Sequence, residues 1–217
     1  MIEQKTNDSG EIWVNEFTEE SAKNFREEIL KSAKSNPEIP IIIYLDSFGG
    51  HADSLAKMIA TMNEIPNIKI TVAMGKAMSA GAVMLSHGDI RFCDKDSRIM
   101  VHEISAGTGG DVHDMMGDAL EVKRLNRHFI GLLARNCGMK GGYNAFRKLI
   151  KSRDGRNIYL SAPEAVKFGI VDYIGTPTLS KVTIHNVAHT KNRPRHIVKK
   201  KKRVKKVKKT SSAKKTS

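Results

Sequence analysis

The stretch Val72-Ala-Met-Gly-Lys-Ala-Met-Ser-Ala-Gly-Ala-Val-Met-Leu85 decides the fold. An apolar, β-rich run from Ile68 to Met74 passes through Gly75 into a patch of small residues around Ser79. An Ala- and Met-rich helical stretch follows. The pattern predicts a strand, a turn and a helix, with a hydroxyl at the turn. A nucleophilic serine needs that setting. Small neighbours let a substrate backbone approach, and the free N–H groups of a helix N-terminus stabilise an oxyanion. Ala77 replaces the first glycine of the G-x-S-x-G spelling, so the match is to the geometry.

Two neighbouring stretches extend this reading. Downstream, Ser97-Arg-Ile-Met-Val-His102 is a short apolar strand ending in a histidine. Upstream, Ile41-Ile-Ile-Tyr-Leu-Asp-Ser-Phe-Gly49-Gly50 is a buried strand ending in a glycine pair, which permits positive φ and close backbone approach. Each piece alone is ordinary, since serines in small-residue turns mostly pack and histidines at strand ends mostly satisfy local polarity. Together, and in this order, they offer a nucleophile, a base and a second oxyanion donor.

The chain resembles the ClpP family of self-compartmentalised serine peptidases from about Ile12 to Ile174. Four blocks carry the resemblance: Tyr44-Leu-Asp-Ser-Phe-Gly-Gly50, Gly75-Lys-Ala-Met-Ser-Ala-Gly81, Arg91-Phe-Cys-Asp-Lys-Asp-Ser-Arg-Ile-Met-Val-His102, and Tyr159-Leu-Ser-Ala-Pro-Glu-Ala-Val-Lys-Phe-Gly-Ile-Val-Asp172. The resemblance implies Ser79 as nucleophile, His102 as general base, and the backbone amides of Gly50 and Ala80 as the oxyanion hole. The family places an aspartate three residues before the leucine of the Leu160-Ser-Ala-Pro-Glu-Ala165 block, where this chain has Asn157. An asparagine carbonyl can accept a hydrogen bond from the histidine but supplies no negative charge. Asp154 lies three residues upstream in an Asp-Gly context; it is read as a loop residue, and a shift of that loop that would let it support His102 in place of Asn157 stays open. The resemblance also implies an α/β spiral of βαβ units, shared with the crotonase fold, and a protruding handle helix that packs two heptameric rings together. The Gly-rich segment Ile104-Ser-Ala-Gly-Thr-Gly-Gly110, with Ser105 and Ala106, would pair with an extended substrate by strand addition. A separate AAA+ unfoldase would supply any ATP dependence.

Charge divides the chain. It has 37 Lys and Arg against 23 Asp and Glu, a formal net charge of +14. All of that excess sits in residues 191–217, which hold 14 Lys and Arg and no acid. The expected organisation is a peptidase domain over 1–190 and a disordered basic tail over 191–217. The tail could hold nucleic acid or another polyanion. It has no aromatic residue, so such binding would be phosphate-driven and salt-sensitive. Two cysteines, Cys93 and Cys137, imply no disulfide framework and a cytoplasmic setting. No apolar run is long enough to span a membrane, and the N-terminal residues lack the apolar core of a signal peptide. The segment before Ile12 is short and polar, unlike the longer axial loop of the family.

Local signals fill in the core. Glu11 to Val14 reads as a strand, and Thr18 as an N-cap with Glu19 and Glu20 in the first turn. Ala22, Phe25, Ile29 and Ala33 fall at helical spacing, as do Leu55, Met58, Ile59 and Met62. Short strands follow near Ile90–Cys93 and Ile99–His102. Alternating strands and helices imply a mainly parallel sheet. A long helix is predicted over Asp111–Asn136, with Met115, Leu120, Leu125, Phe129, Leu132 and Leu133 as its apolar positions and Gly138 as its stop. Ser161 and Glu164 form a capping box, with Gly169 at the helix end.

His51 follows the glycine pair and is read as lining the substrate cleft. His87, Asp89, His113 and His128 have no metal-ligand spacing, and no cofactor is expected. Other readings stay open: a weakly active or inactive ring subunit, a virus-type protease of structural proteins, acyl-CoA chemistry on the crotonase fold, and a nucleic-acid module resting on the tail.

Overall fold

The computed structural model describes residues 10–35, 37–152 and 157–177. Asp154, the 190/191 domain boundary and the basic tail lie outside the described residues. Among the described residues the chain is α/β, with six helices and one seven-stranded, mainly parallel sheet.

The first half follows its local signals closely. β1 (Glu11–Val14) alternates exposed and buried residues. Thr18 Oγ1 accepts the Ser21 N–H at 3.1 Å and caps α1 (Glu19–Ser35). Ala22, Phe25, Ile29 and Ala33 form the buried stripe of α1. Burying a Phe or Ile contributes roughly 1.5–3 kcal/mol each, enough to fix which face turns inward. β2 (Ile41–Ser47) runs parallel to β1, and α2 (Ala52–Glu64) buries Leu55, Met58, Ile59 and Met62.

The next strand departs from expectation. β3 (Lys69–Met78) does not end at Gly75 but runs on to the residue before Ser79. Gly75 marks an irregularity. Leu45 pairs with Ala73 and Ser47 with Ala77, so β3 carries extra residues opposite Asp46. The buried Ser97 spans the kink, accepting the Gly75 N–H at 2.8 Å and donating to the Ala73 carbonyl at 3.0 Å. Bulges bend a strand and re-aim what lies beyond them. Here β3 changes partner at the kink. Before it, Ile70–Ala73 pair with β4 (Ile90–Cys93); after it, Lys76–Met78 pair with β5 (Arg98–His102). The strand expected over Ile68–Met74 thus continues through a bulge at Gly75, and the turn is confined to Ser79.

β5 is in turn paired, antiparallel, with β6 (Asn157–Leu160), and β4 with the two-residue β7 (Tyr173–Ile174). The main apolar core lies between the sheet and the helices. A smaller cluster of Ile42, Ile70 and Val72 occupies the opposite sheet face, beside a stacked Trp13–Tyr44 pair at 4.8 Å.

Two short helices complete the second half. α5 (Gly142–Ser152) buries Phe146 and Ile150. α6 (Ala162–Lys167) begins where the Glu164 carboxylate accepts the Ser161 N–H at 3.0 Å. The long helix α4 (Val112–Asn136) is capped by Asp111, whose carboxylate accepts the His113 and Asp114 N–H groups. It closes with the Met139 N–H on the Ala134 carbonyl, next to Gly138. Only its second half is buried, through Phe129, Ile130, Leu133 and Ala134. Met115 and Leu120, two of the apolar positions read from the sequence, are exposed together with Val112 and Met116. No described helix is long and apolar enough to cross a membrane.

Candidate active site

Ser79 stands alone between β3 and the short helix α3 (Ala80–Leu85). Its φ of 54° and ψ of −118° make it the one non-glycine residue with positive φ among the described residues. Such a conformation costs about 1–3 kcal/mol and must be imposed by its surroundings. Both flanks impose it. The Ser79 N–H donates to the Met100 carbonyl on β5 at 2.8 Å, and the Ser79 carbonyl accepts the Ala82 N–H at 3.0 Å. The result lifts the side chain off a sharp strand-to-helix corner.

His102 is the last residue of β5, two beyond the β5 residue that pairs with Met78. Its Nε2 lies 2.7 Å from Ser79 Oγ, and both residues are half-buried. Burial pushes the His102 pKa below the usual 6.5, so the ring is neutral at pH 7 and can accept the hydroxyl proton at Nε2. Among the described residues, His102 has no other side-chain hydrogen bond, and no carboxylate offsets that burial.

Asn157 opens β6 directly opposite His102. Opposed residues of an antiparallel pair share a face, with Cβ atoms about 4.5–5.5 Å apart. The structure therefore brings Ser79, His102 and Asn157 together in space, while Asn157 itself is exposed.

The glycine pair is close as well, and it divides its work. Gly49, which sequence reasoning left aside in favour of Gly50, is the residue packed on Ser79. At its φ of 108°, an added Cβ would stand 2.7 Å from Ser79 Cβ and 3.2 Å from the Ala80 nitrogen. Its own N–H is used by Ser47 Oγ at 3.0 Å. Gly50 backs onto Phe17, where a Cβ would meet the Phe17 carbonyl at 2.5 Å. The neighbouring His51 N–H takes that carbonyl at 2.8 Å. Among the described residues, the Gly50 and Ala80 amides have no protein acceptor. Ala80 begins a helix, whose first N–H groups lack intrahelical partners. The sequence showed the glycine pair but not which member packs on Ser79, because that contact joins residues distant in the chain.

His51 is exposed at the start of α2, and its side chain makes no capping bond. Ser105 and Ala106 are exposed on a segment without a sheet partner. The two thiols are ill-suited to nucleophilic work. Burial first, then the Asp94 charge, pushes Cys93 up to about 11; burial pushes Cys137 up to about 12. Among the described residues, no group of three or more His, Cys, Asp or Glu is gathered as metal ligands would be.

A family model described as Clp protease matches residues 4–178. The chain belongs to the Clp protease family. It is 31% identical over 180 residues to the ATP-dependent Clp protease proteolytic subunit 3 of Rhodococcus jostii (strain RHA1), a match covering 82% of this chain and 85% of that protein. Membership of the Clp protease family makes this a protease-type proteolytic subunit, and the α/β architecture agrees with it.

Proposed function

We propose that the chain is a serine endopeptidase that cleaves unfolded polypeptides or peptides, with Ser79 as nucleophile and His102 as general base. The observation that carries this reading is the 2.7 Å contact between His102 Nε2 and Ser79 Oγ at a strained strand-to-helix corner. In the proposed reaction, neutral His102 takes the Ser79 proton as Ser79 Oγ attacks the scissile carbonyl carbon. The Gly50 and Ala80 amides hold the oxyanion. Its collapse expels the amine, which takes the proton from His102. Water then attacks the acyl-enzyme by the same route and frees Ser79. In this reading Asn157 orients the imidazole of the working site through a hydrogen bond that is not formed among the described residues, and lends it no charge. Ser105 and Ala106 present backbone to an extended substrate, and His51 borders the cleft.

The subunit acts within a homo-oligomer of heptameric rings in the cytoplasm. The exposure of Val112, Met115, Met116 and Leu120 on α4 supports a partner subunit there, since a run of exposed apolar side chains marks an interface. The relative's name describes an ATP-dependent protease, which supports a separate AAA+ unfoldase as partner. Binding of nucleic acid or another polyanion by residues 191–217 rests on their charge alone.

A second reading is favoured by one observation, the lack of a described carboxylate beside His102: a ring subunit of weak or no activity. Labelling with a fluorophosphonate probe, followed by peptide mapping, separates the two. Modification of Ser79 that vanishes in Ser79→Ala supports the peptidase. No modification of the assembled wild type supports the inactive subunit.

A further inference from the structure

His102 is held from one side only. The β3–β5 pairing ends at Met100, and β6 begins opposite His102 with Asn157. The chain then leaves the sheet as Glu103 and Ile104 and runs without strand partners to Asp111. Something other than the ladder must fix the strand end.

Both residues after His102 converge on one side chain. Asn126, nine-tenths buried on α4, accepts the Ile104 N–H at Oδ1 (3.1 Å) and donates from Nδ2 to the Glu103 carboxylate (3.2 Å). The same Nδ2 lies 3.4 Å from the Tyr143 hydroxyl on α5. The Glu103 carboxylate is drawn further by Arg147 Nε of α5 at 2.6 Å. One amide thus uses donor and acceptor together, and the loop it pins is the continuation of the histidine strand. A buried amide satisfied on both ends gives a rigid link, because any shift of the strand end would leave a buried polar atom unpaired.

The geometry points to Asn126 as a positioning residue that sets where His102 stands against Ser79, through the Glu103–Ile104 backbone. The inference rests on the reading of Ser79 and His102 as nucleophile and base. It assigns Asn126 no contact with substrate.

The test uses the full chain, with Asn126→Ala and Glu103→Ala made in wild-type and His102→Ala backgrounds. Three quantities are followed. One is the limiting rate of Ser79 labelling by fluorophosphonate, with the probe concentration at half-saturation. Another is the rate of His102 C2-hydrogen exchange, mapped by mass spectrometry. The third is the thermal transition.

Asn126→Ala is expected to fold and to label ten- to a hundredfold more slowly at saturation, as misplacements of about 1 Å do. Half-saturation stays unchanged, and His102 exchange quickens. Glu103→Ala moves the same quantities in the same direction by less. In the His102→Ala background, neither substitution lowers labelling further. Unchanged labelling and exchange in folded Asn126→Ala overturns the proposal, as does an undiminished effect when His102 is absent. If Asn126→Ala fails to fold, Glu103→Ala decides by the same readouts. If wild type is never labelled, the peptidase reading falls, and His102 exchange alone judges the positioning role.

Discussion

His102 and Asn157 stand directly opposite each other across the antiparallel β5–β6 pair, on the same face of it. The position opposite a candidate base is where a charged partner would act most strongly. An amide there can orient the ring, but it supplies no counter-charge to an imidazolium.

Replacing Asn157 by aspartate should therefore raise the rate of Ser79 labelling by at least about tenfold. The reverse exchange in a Ser-His-Asp protease cost ~10⁴, which sets the upper limit. The pH profile should move too. Burial holds the His102 pKa below 6.5, so labelling in the wild type should fall only as pH drops through a value below that. A carboxylate opposite favours the charged ring and shifts the inflection upward. Profiles of both proteins between pH 4.5 and 8, in steps of about half a unit near the usual histidine range, would decide. A downward shift would count against the pairing.

Gly49→Ala should damage the site more than the fold. The new Cβ would press on Ser79 Cβ at a backbone angle that alanine resists, at a cost of about 1–3 kcal/mol in stability. Because the contact is with the proposed nucleophile, labelling should fall by up to about a hundredfold, as expected for about 1 Å of misplacement. Comparable losses in stability and in labelling would argue that Gly49 is only a turn residue.

Arg91 ties the second half of the fold together. Its guanidinium meets the Asp172 carboxylate through two bonds, at 3.0 and 2.6 Å, and donates to the carbonyls of Asn136, the last residue of α4, and of Gly169, just past the end of α6. Arg91→Leu would leave Asp172 with only the backbone N–H of residue 91 on its Oδ2, and would take the guanidinium from the Asn136 and Gly169 carbonyls. The expected loss is roughly 3 kcal/mol, the low end for a broken buried pair, because both groups keep some contact with solvent. Denaturant titration would measure it, and a loss under about 0.5 kcal/mol would match a surface pair instead.

Removing residues 191–217 should abolish binding to heparin or duplex DNA while leaving the thermal transition of the remainder unchanged. Binding by the full chain should weaken steeply with salt and show no sequence preference. Retention of affinity after the deletion would place the polyanion site in the first 190 residues, which are net neutral.

Legibility in the sequence followed the range of the interactions involved. β1, α1, β2 and α2 could be read because each carries its own signal: an alternating run, the Thr18 cap, or a stripe at helical spacing. Ser79 and His102 were legible as residues, since a lone hydroxyl among small side chains and a histidine at a strand end are visible locally. The bulge at Gly75 was not, because a glycine in an apolar run marks a turn or a bulge equally well until the partner strand is known. α5 went unread, an eleven-residue helix whose buried Phe146 and Ile150 acquire meaning only against α4. The exposed Met115 and Leu120 show the converse. Their spacing belongs to a helix, but a stripe does not say whether its cover comes from the same chain. Asn126 gave no signal at all, because a single amide on a long helix takes its role from a loop twenty residues earlier.

The backbone at Ser79 has a further consequence. Its angles are ones that glycine adopts freely and every other residue resists. Ser79→Ala and Ser79→Gly would both lack the hydroxyl, yet only the second would relieve the corner, so the stability gap between these two variants would weigh the strain. Drift under selection for folding alone would favour glycine at this position. A hydroxyl kept where the architecture prefers a bare backbone is a residue held against the interests of the fold.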